Sequence, residues 1–340
     1  MTGEPAPADL SPGVRAAADE YLEAGGTTGL TVRLNERAWQ RWMLRPRMLR
    51  DVSRLDSSVM LFGIQCDVPL LIAPWSGQHL FDAEAELATA RAARRSGVGY
   101  CLSSGSSRPV EEVGEAAGAF LFQLYLPEQR ADILPVVARA KAAGARGLVI
   151  TVDQPPQANR SGFRGRIRGL PPVNSPHFPG GNPVPNTPAD LTPADIGWLA
   201  ERSGLPVLVK GIVRDDDADA VVRAGAAGIV VSNHGGRQLD GGLPTALALP
   251  DVVAGVKGRV PVLVDGGVRS AEDVVRALAL GAQGVLIGRP VARALRDGGS
   301  QAVVDLLGTL THEIRAQLAN CGLSSASAAA PDLVRWRDWD

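Results

Sequence analysis

The sequence predicts an α/β fold, a TIM (β/α)8 barrel with an N-terminal helical cap segment and a long loop after the fourth strand. Eight short apolar runs, rich in branched side chains, recur along the 340 residues. Most are continuously apolar, as expected for strands buried on both faces of a parallel sheet. Amphipathic segments separate them, and eight strand–helix units are typical of this barrel. The predicted strands are residues 68–74, 98–104, 120–125, 147–153, 206–212, 228–234, 261–267 and 284–290.

The outer helices are predicted by segments rich in alanine and arginine that lie between the strands. The clearest are residues 84–96, 130–143, 216–224 and 271–280. Each is followed by a glycine, the residue at which a helix most readily ends. These glycines are Gly97, Gly144, Gly225 and Gly281.

No segment has the composition of an interdomain linker, so we expect a single domain over residues 1–340. Residues 1–67 are expected to form the lead-in and cap, residues 68–299 the barrel, and residues 300–340 a closing helix and tail. A connection with ten prolines runs between Asp153 and Pro206. Those prolines forbid a regular helix through most of it. Because it leaves the carboxyl end of the fourth strand, where barrels place their chemistry, we expect an active-site loop.

Composition excludes several classes of function. The net charge is -1 and no basic run is interleaved with aromatic residues, so we expect no nucleic-acid partner. The four histidines and three cysteines are scattered, and we therefore expect no metal site. No apolar stretch approaches about 18 residues and no signal segment is evident, so we expect a cytoplasmic protein with no membrane partner.

The most informative segment is SNHGGRQLD, residues 232–240, which follows the sixth predicted strand. It offers a proton acceptor in His234, a fixed positive charge in Arg237, and glycines that let the backbone approach a ligand. A capped turn with solvated charges is the alternative interpretation. Asp153, at the end of the fourth strand, is placed to orient His234 and to stabilise its protonated form.

Six predicted strands end in polar residues, all of which would face one mouth of the barrel. These residues are Gln123 and Tyr125, Thr151 and Asp153, Lys210, Ser232 and His234, Asp265 with Gly267 and Arg269, and Gly288 with Arg289.

The glycine turns after the last two strands predict a phosphate site. Ordinary turns with solvated arginines are the alternative. Lys210 either stabilises negative charge in the mouth or is a buried partner of Asp265. Arg160 and Arg237 have no matching acids, which indicates an anionic, carboxylate-bearing substrate.

These motifs resemble the FMN-dependent 2-hydroxy acid oxidases and dehydrogenases, a family that includes glycolate, lactate and mandelate enzymes. The resemblance rests on residues 232–240, on LPVLVKG at 205–211 and on VDGGVR at 264–269, and it covers residues 21–320. Further matches are RPR at 45–47, FQLY at 122–125, TVD at 151–153 and IGRP at 287–290.

The resemblance implies FMN as cofactor and a role for each matching residue. His234 would be the base that Asp153 orients. Substrate contacts would come from Arg160, Arg237, Tyr21 and Tyr125. Lys210 would lie at flavin N1 and O2. Other FMN contacts would come from Trp75, Ser76, Ser103, Gln123, Thr151, Ser232, Asp265, Gly267, Arg269, Gly288 and Arg289.

The implied reaction oxidises a 2-hydroxy acid to a 2-oxo acid, with oxygen reoxidising FMN. His234 would remove the proton from either the hydroxyl or Cα. The resemblance also implies a homotetramer.

Several positions depart from the family pattern. Pro74-Trp75-Ser76 stands where Pro-Thr-Ala is usual, Gly105 stands where glycolate enzymes have a bulky aromatic, and Leu22 replaces a second tyrosine. Gln157 and Asn159, near Arg160, also differ. These changes predict a roomier pocket for a large or aromatic, mandelate-like substrate, free or tethered to a carrier, although Trp75 is equally compatible with a plain core position.

Alternative functions follow from the same residues. A non-oxidative FMN barrel, such as a flavin-type isopentenyl-diphosphate isomerase, would share the phosphate site but has no use for Arg160, Arg237 and His234 together. A dehydrogenase with an acceptor other than oxygen would use the same residues. A non-catalytic FMN-binding protein is left open by the departures at Trp75 and Ser76. Reduction of the flavin by a hydroxy acid separates the oxidative functions from the other two.

Overall fold

The computed structural model describes residues 12–154, 173–174 and 188–338. Its first elements are two helices and three short strands that precede the barrel. They are α1 Pro12–Glu23, α2 Leu30–Gln40, β1 Trp42–Leu44, β2 Val59–Leu61 and β3 Ile64–Cys66. Strands β2 and β3 pair antiparallel as a hairpin.

Eight parallel strands then close into a barrel in chain order, which confirms the predicted TIM barrel. These strands are β4 Leu70–Ile72, β5 Gly99–Ser103, β6 Phe120–Leu124, β7 Ala145–Thr151, β8 Val207–Ile212, β9 Gly228–Val231, β10 Val262–Val264 and β11 Gly284–Ile287. The outer helices are α3 Glu86–Arg95, α4 Val110–Ala117, α5 Leu134–Ala142, α6 Ala194–Ser203, α7 Asp215–Arg223, α8 Thr245–Val256, α9 Ala271–Ala279 and α10 Arg289–Asn320.

The β2–β3 hairpin closes the amino-terminal end of the barrel. Leu61, Ile64 and Cys66 belong to the apolar cluster that fills the barrel interior. The strand residues of that cluster are Leu71, Cys101, Leu121, Val149, Leu208, Val230, Leu263 and Leu286. The hairpin packs closely against the start of β9. A Cβ on Gly228, the first residue of that strand, would lie 2.5 Å from Cζ of Phe62, which lies between β2 and β3. With one end filled by apolar side chains, the carboxyl end is the mouth at which polar side chains gather.

Several predicted strands are longer than the observed ones. The seventh, predicted to reach residue 267, ends at Val264 because Gly266 and Gly267 take φ values of 91° and 82° that break the ladder. The eighth ends at Ile287 because Arg289 already begins α10. That helix breaks at Gly298 and Gly299, so the predicted closing helix from residue 300 is its second half.

The carboxyl-terminal tail returns to the lead-in. Strand β12, Val334–Trp336, pairs antiparallel with β1, and the Trp42 and Trp336 rings meet edge-on with their centroids 5.2 Å apart. Among the described residues, no helix is long and apolar enough to cross a membrane. The predicted loop after the fourth strand lies mostly outside the described residues, and so do Gln157, Asn159 and Arg160.

Candidate active site

Three adjacent barrel strands deliver a chain of buried polar side chains to the mouth. Ser103 ends β5 and donates to Oε1 of Gln123 on β6 at 3.1 Å. Nε2 of Gln123 in turn donates to Oγ1 of Thr151, the last residue of β7, at 2.9 Å. All three residues are buried. Because parallel strands in register end at one level, residues far apart in the sequence line one wall of the mouth.

The wall continues to Lys210 on β8, the register partner of Thr151. Its ammonium donates to Oγ of Ser232 at 2.6 Å and lies 3.1 Å from Oδ2 of Asp265. Burial by itself would lower the pKa of Lys210, but the carboxylates of Asp265 and Asp153 outweigh it and raise that pKa above its ordinary value. Lys210 is therefore a permanent buried cation. The pairing with Asp265 and the position in the mouth, which the sequence offered as alternatives, occur together.

His234 and Asp153 form a hydrogen-bonded pair beside this cation. Nδ1 of His234 lies 2.8 Å from Oδ1 of Asp153. Burial opposes ionisation of Asp153, yet the charges of His234 and Lys210 hold its pKa below the ordinary value. An ionised carboxylate can only accept, so Nδ1 carries the proton and Nε2 is left as the basic nitrogen.

The backbone around this pair is adapted to it. Gly211 on β8 has a φ of 115°, and a Cβ there would lie 2.6 Å from Cβ of Asp153. His234 itself has a φ of 58°, a left-handed conformation that is unfavourable for a residue with a side chain. Strain of this kind persists only where the surrounding contacts enforce it, and it is concentrated at functional sites.

The guanidinium groups of Arg237 and Arg289 bind the end of α1 to the mouth. Arg237 lies over the Tyr21 ring, 4.4 Å from its centroid, and donates to the carbonyl oxygens of Tyr21 and Ala24. Arg289 donates to the carbonyls of Leu22, Ala24 and Gly235 through all three of its nitrogens. The last carbonyls of a helix have no intrahelical partner, and these cations satisfy them.

Among the described residues, the mouth has more positive charge than the neighbouring acids balance. Burial, and then the charges of Arg237 and Arg269, lower the pKa of Arg289 to about 10. Arg269 pairs with Glu36 at 2.7 Å, while its Nε has no partner in the described part of the chain. Three clustered guanidiniums of this kind fit a bound anion.

These residues fit FMN. The guanidinium groups of Arg237, Arg269 and Arg289, here called the cation cluster, suit a phosphate. The turn at Gly266 and Gly267 brings main chain without side chains to the same side of the mouth. A Cβ on Gly267 would lie 2.4 Å from the Asn35 carbonyl oxygen, so only glycine fits there. Gly288 precedes the first turn of α10, whose N–H groups lack intrahelical acceptors. Oδ1 of Asp265 is buried without a partner among the described residues, as expected of a group that awaits a ligand hydroxyl.

The remaining predicted residues lie around the same mouth. Tyr125 is buried just after β6. Ser76 follows Trp75, whose ring packs 5.9 Å from Phe81 and whose indole N–H has no partner in the described ranges. Tyr21 approaches this loop, since a Cβ on Gly77 would lie 3.7 Å from Cε1 of Tyr21.

The sequence did not predict a role for four residues at or near the site. Gln154 is buried with both amide atoms unpaired in the described chain. Asp240, the last residue of the SNHGGRQLD motif, accepts hydrogen bonds from the N–H groups of Thr28 and Thr31 and so caps the start of α2. Asn35 and Asn233 are hydrogen bonded to each other. Of these two, only Asn233 had a sequence signal for a role in the site, namely its position beside His234.

No cluster of three or more potential metal ligands occurs among the described residues.

Comparison with known proteins decides the family. The model of the FMN-dependent dehydrogenase family matches residues 13–177 and 182–336. The chain belongs to this family. It is 42% identical over 327 residues to an L-lactate oxidase of Nostoc sp., with 90% of each chain covered. It is 39% identical over 325 residues to a 4-hydroxymandelate oxidase of Amycolatopsis orientalis, with 91% of each covered.

Superposition on solved structures supports the same family assignment. A mandelate oxidase with (S)-2-phenylpropionate superposes with a TM-score of 0.84 at 37% identity, covering 98% of each chain. A mandelate oxidase variant with an FMN adduct superposes with a TM-score of 0.82 at 38% identity, covering 94% of this chain and 98% of that one. The resemblance inferred from the motifs is thereby confirmed, and with it FMN as the cofactor.

Proposed function

We propose that this protein oxidises a 2-hydroxy acid to the corresponding 2-oxo acid with FMN. The observation that carries the proposal is the His234–Asp153 pair, 2.8 Å between Nδ1 and Oδ1, at a mouth that also contains the Lys210 ammonium and the Arg237 guanidinium. A base and two cations in one cleft suit a substrate that carries a carboxylate and must lose a proton.

The chemistry removes two hydrogens from the carbinol of the substrate. Nε2 of His234 takes a proton from it, and Asp153 stabilises the imidazolium that results. Bound FMN supplies the acceptor for the two electrons. Lys210 stabilises negative charge that develops in the mouth, because it is buried and charged throughout the neutral range.

Arg237 would hold the substrate carboxylate together with Arg160 and Tyr21, and Tyr125 would lie near the substrate hydroxyl. The stacking of Arg237 on Tyr21 supports this role, since it brings a guanidinium and a phenol to one place. The bonds of Arg237 to the Tyr21 and Ala24 carbonyls use Nη1 and one hydrogen of Nη2, which leaves its Nε–H and the second Nη2 hydrogen for a carboxylate. A bidentate pair between two ions is stronger than these bonds to neutral carbonyls.

For the FMN site, we propose that Ser103, Gln123, Thr151, Lys210, Ser232 and the Trp75–Ser76 loop contact the ring system, and that Asp265, Gly267, Arg269, Gly288 and Arg289 hold the ribityl phosphate. All three side-chain nitrogens of Arg289 already donate to carbonyls. Its contribution to the phosphate would come from the second hydrogens of its two terminal nitrogens and from its main-chain N–H in the first turn of α10.

For the substrate, we propose a large or aromatic 2-hydroxy acid. The small residues Gly77 and Gly105 near the mouth support this, and relatives named for mandelate and 4-hydroxymandelate occur among the similar proteins. Another relative is named for lactate, so a panel that spans both sizes is the informative test.

We also propose oxygen as the acceptor, a homotetramer and a cytoplasmic location. The oxidase names of the relatives support oxygen. Met48 and Leu49 are 67% and 104% exposed, and Leu49 is held at a φ of 58°, which supports a subunit contact at this loop. The three cysteines are buried and unpaired, as is usual in a reducing compartment.

Anaerobic titration of the purified flavoprotein tests the reaction. We expect glycolate, lactate, mandelate and 4-hydroxymandelate to bleach the flavin to different extents, with the aromatic acids giving the highest rates, and air to restore the colour. If glycolate or lactate had the higher kcat/KM, the proposal of a roomy pocket would be wrong. Turnover of an isoprenoid diphosphate, without formation of a 2-oxo acid, would contradict the reaction itself.

A further inference from the structure

Asn35 and Asn233 exchange two side-chain hydrogen bonds across the boundary between the cap and the barrel. Nδ2 of Asn35 donates to Oδ1 of Asn233 at 2.9 Å, and Nδ2 of Asn233 donates to Oδ1 of Asn35 at 2.8 Å. Asn35 lies on α2 and is 1% exposed, whereas Asn233 immediately precedes His234. A paired amide buried between two elements fixes both of them, because each unpaired group would remain without water.

The Asn233 side chain also shapes the turn that carries His234. Its Oδ1 accepts from the N–H of Gly236 at 3.1 Å, and its Nδ2 donates to the carbonyl of Leu243 at 3.0 Å. His234, Gly235 and Gly236 are all in the left-handed region, with φ values of 58°, 63° and 76°. Such a run is unfavourable for the His234 backbone and must be enforced by neighbouring bonds.

Asn35 joins this turn to two further parts of the site. Its Oδ1 also accepts from the N–H of Thr245, at the start of α8, at 3.3 Å. Its carbonyl oxygen contacts the glycine turn after β10, where a Cβ on Gly267 would lie 2.4 Å away. An asparagine is needed for this combination, because aspartate cannot donate and leucine can neither donate nor accept.

We propose that Asn35 is a positioning residue for His234. Through Asn233 it holds the left-handed turn that points Nδ1 of His234 at Asp153. The cap helix α2 is thereby part of the catalytic apparatus. The proposal rests on the proposed role of His234 in oxidising a 2-hydroxy acid.

The test compares Asn35→Leu and Asn35→Ala with wild type and with Ser57→Ala. Ser57 is a matched control, since it is buried in the same lead-in and donates to the carbonyl of Asp67 at 2.7 Å, away from the His234 turn. Two quantities are measured for each protein. The first is the anaerobic rate of flavin reduction as a function of substrate concentration. The second is deuterium uptake over residues 233–245.

We expect both Asn35 variants to retain FMN and to reduce it about 10- to 100-fold more slowly at saturating substrate, because a misplaced base is ineffective. The substrate concentration at half-maximal rate should stay nearly constant, since no substrate contact is lost. Deuterium uptake should rise over residues 233–245 and remain unchanged elsewhere. The Ser57→Ala protein should match wild type in both measurements.

A double-mutant cycle adds a second criterion. If the two asparagines act as one unit, Asn35→Leu combined with Asn233→Ala should be no slower than Asn233→Ala alone. Multiplying losses would overturn the proposal. So would unchanged deuterium uptake over residues 233–245, or a rise in uptake spread evenly over the barrel. If wild type reduced no flavin with any 2-hydroxy acid, the proposed function would fail, yet the uptake measurement would still report whether Asn35 holds the turn.

Discussion

Oδ1 of Asp153 lies 2.8 Å from Nδ1 of His234, although the two residues, which follow strands β7 and β9, are 81 positions apart in the chain. Asp153 is buried and its pKa is held below the ordinary value by His234 and Lys210. A fixed carboxylate of this kind keeps the imidazole in one tautomer, with Nε2 as the nitrogen that can accept a proton.

Asp153→Asn should keep the shape of the site but remove the charge that stabilises the imidazolium. We expect the rate of flavin reduction to fall by about 100-fold or more, within the range typical of general-base catalysis. FMN content should not change. Stopped-flow reduction under anaerobic conditions measures the rate. Asp219→Asn, which removes a carboxylate bonded to Arg223 and Arg259 at the outer helix α7, is the control and should react at the wild-type rate.

Lys210→Met should destabilise the fold because it leaves the carboxylate of Asp265 buried without its cation. Breaking a buried ion pair from one side typically costs about 3–5 kcal/mol. The free energy of unfolding of the apoprotein, measured in urea, should fall by an amount in that range. Adding Asp265→Asn should recover part of the loss, since the unpaired charge is then gone. A double variant that is less stable than Lys210→Met would show that Asp265 has another partner in the fold.

Gly267→Ala should be more harmful than an alanine at an ordinary left-handed glycine. The backbone conformation alone costs about 1–2 kcal/mol. Gly258 has a φ of 69° and no atom within 4 Å of its would-be Cβ, so Gly258→Ala measures that strain by itself. At Gly267 the new methyl would also overlap the Asn35 carbonyl oxygen, which should add about 1–3 kcal/mol. We expect both variants to have a lower melting temperature, with the larger decrease in Gly267→Ala, and we expect reduced FMN content only in Gly267→Ala. Equal stability of the two variants would contradict the close approach.

Glu86 gives a prediction about pH. Its carboxyl is buried, its Oε2 accepts from the N–H and hydroxyl of Ser107, and burial raises its pKa. A raised pKa in the folded state means that stability is greatest below the unfolded value of about 4.3 and is lost as pH rises through the folded value. Glu86→Gln keeps an acceptor for Ser107 but cannot ionise.

The variant should therefore match wild type in stability near pH 4 and exceed it increasingly at higher pH. Thermal unfolding from acid to neutral pH checks this trend. A stability difference that does not change with pH would show that Glu86 ionises equally easily in the folded and unfolded states.

Much of the fold was predictable because buried parallel strands leave a local signal. The run Gly228–Val231 is fully buried and was visible as a continuous apolar segment. Strand ends were less predictable, since they depend on where glycines such as Gly266 take a positive φ. The pairing of β1 with β12 joins positions near 42 and 336, and no local pattern encodes so distant a contact.

The positions of Lys210 and His234 were predictable, because each is a polar residue at or just after the end of an apolar strand. It was not predictable where the role depends on orientation. The bonds from Arg289 to three carbonyls could not be read from a Gly-Arg-Pro motif. Asn35 gave no signal at all, because an asparagine on a cap helix looks like an ordinary solvated residue until its partner is known.

The rate of flavin reduction in the His234→Ala variant is the measurement that tests the central claim most directly. The variant should bind FMN as wild type does, because the cation cluster and the glycine turns remain. Mixed anaerobically with a 2-hydroxy acid that bleaches wild type, it should reduce its flavin about 1,000-fold or more slowly, as the loss of an oriented base requires. Reduction at a rate near that of wild type would contradict the assignment of His234 as the base.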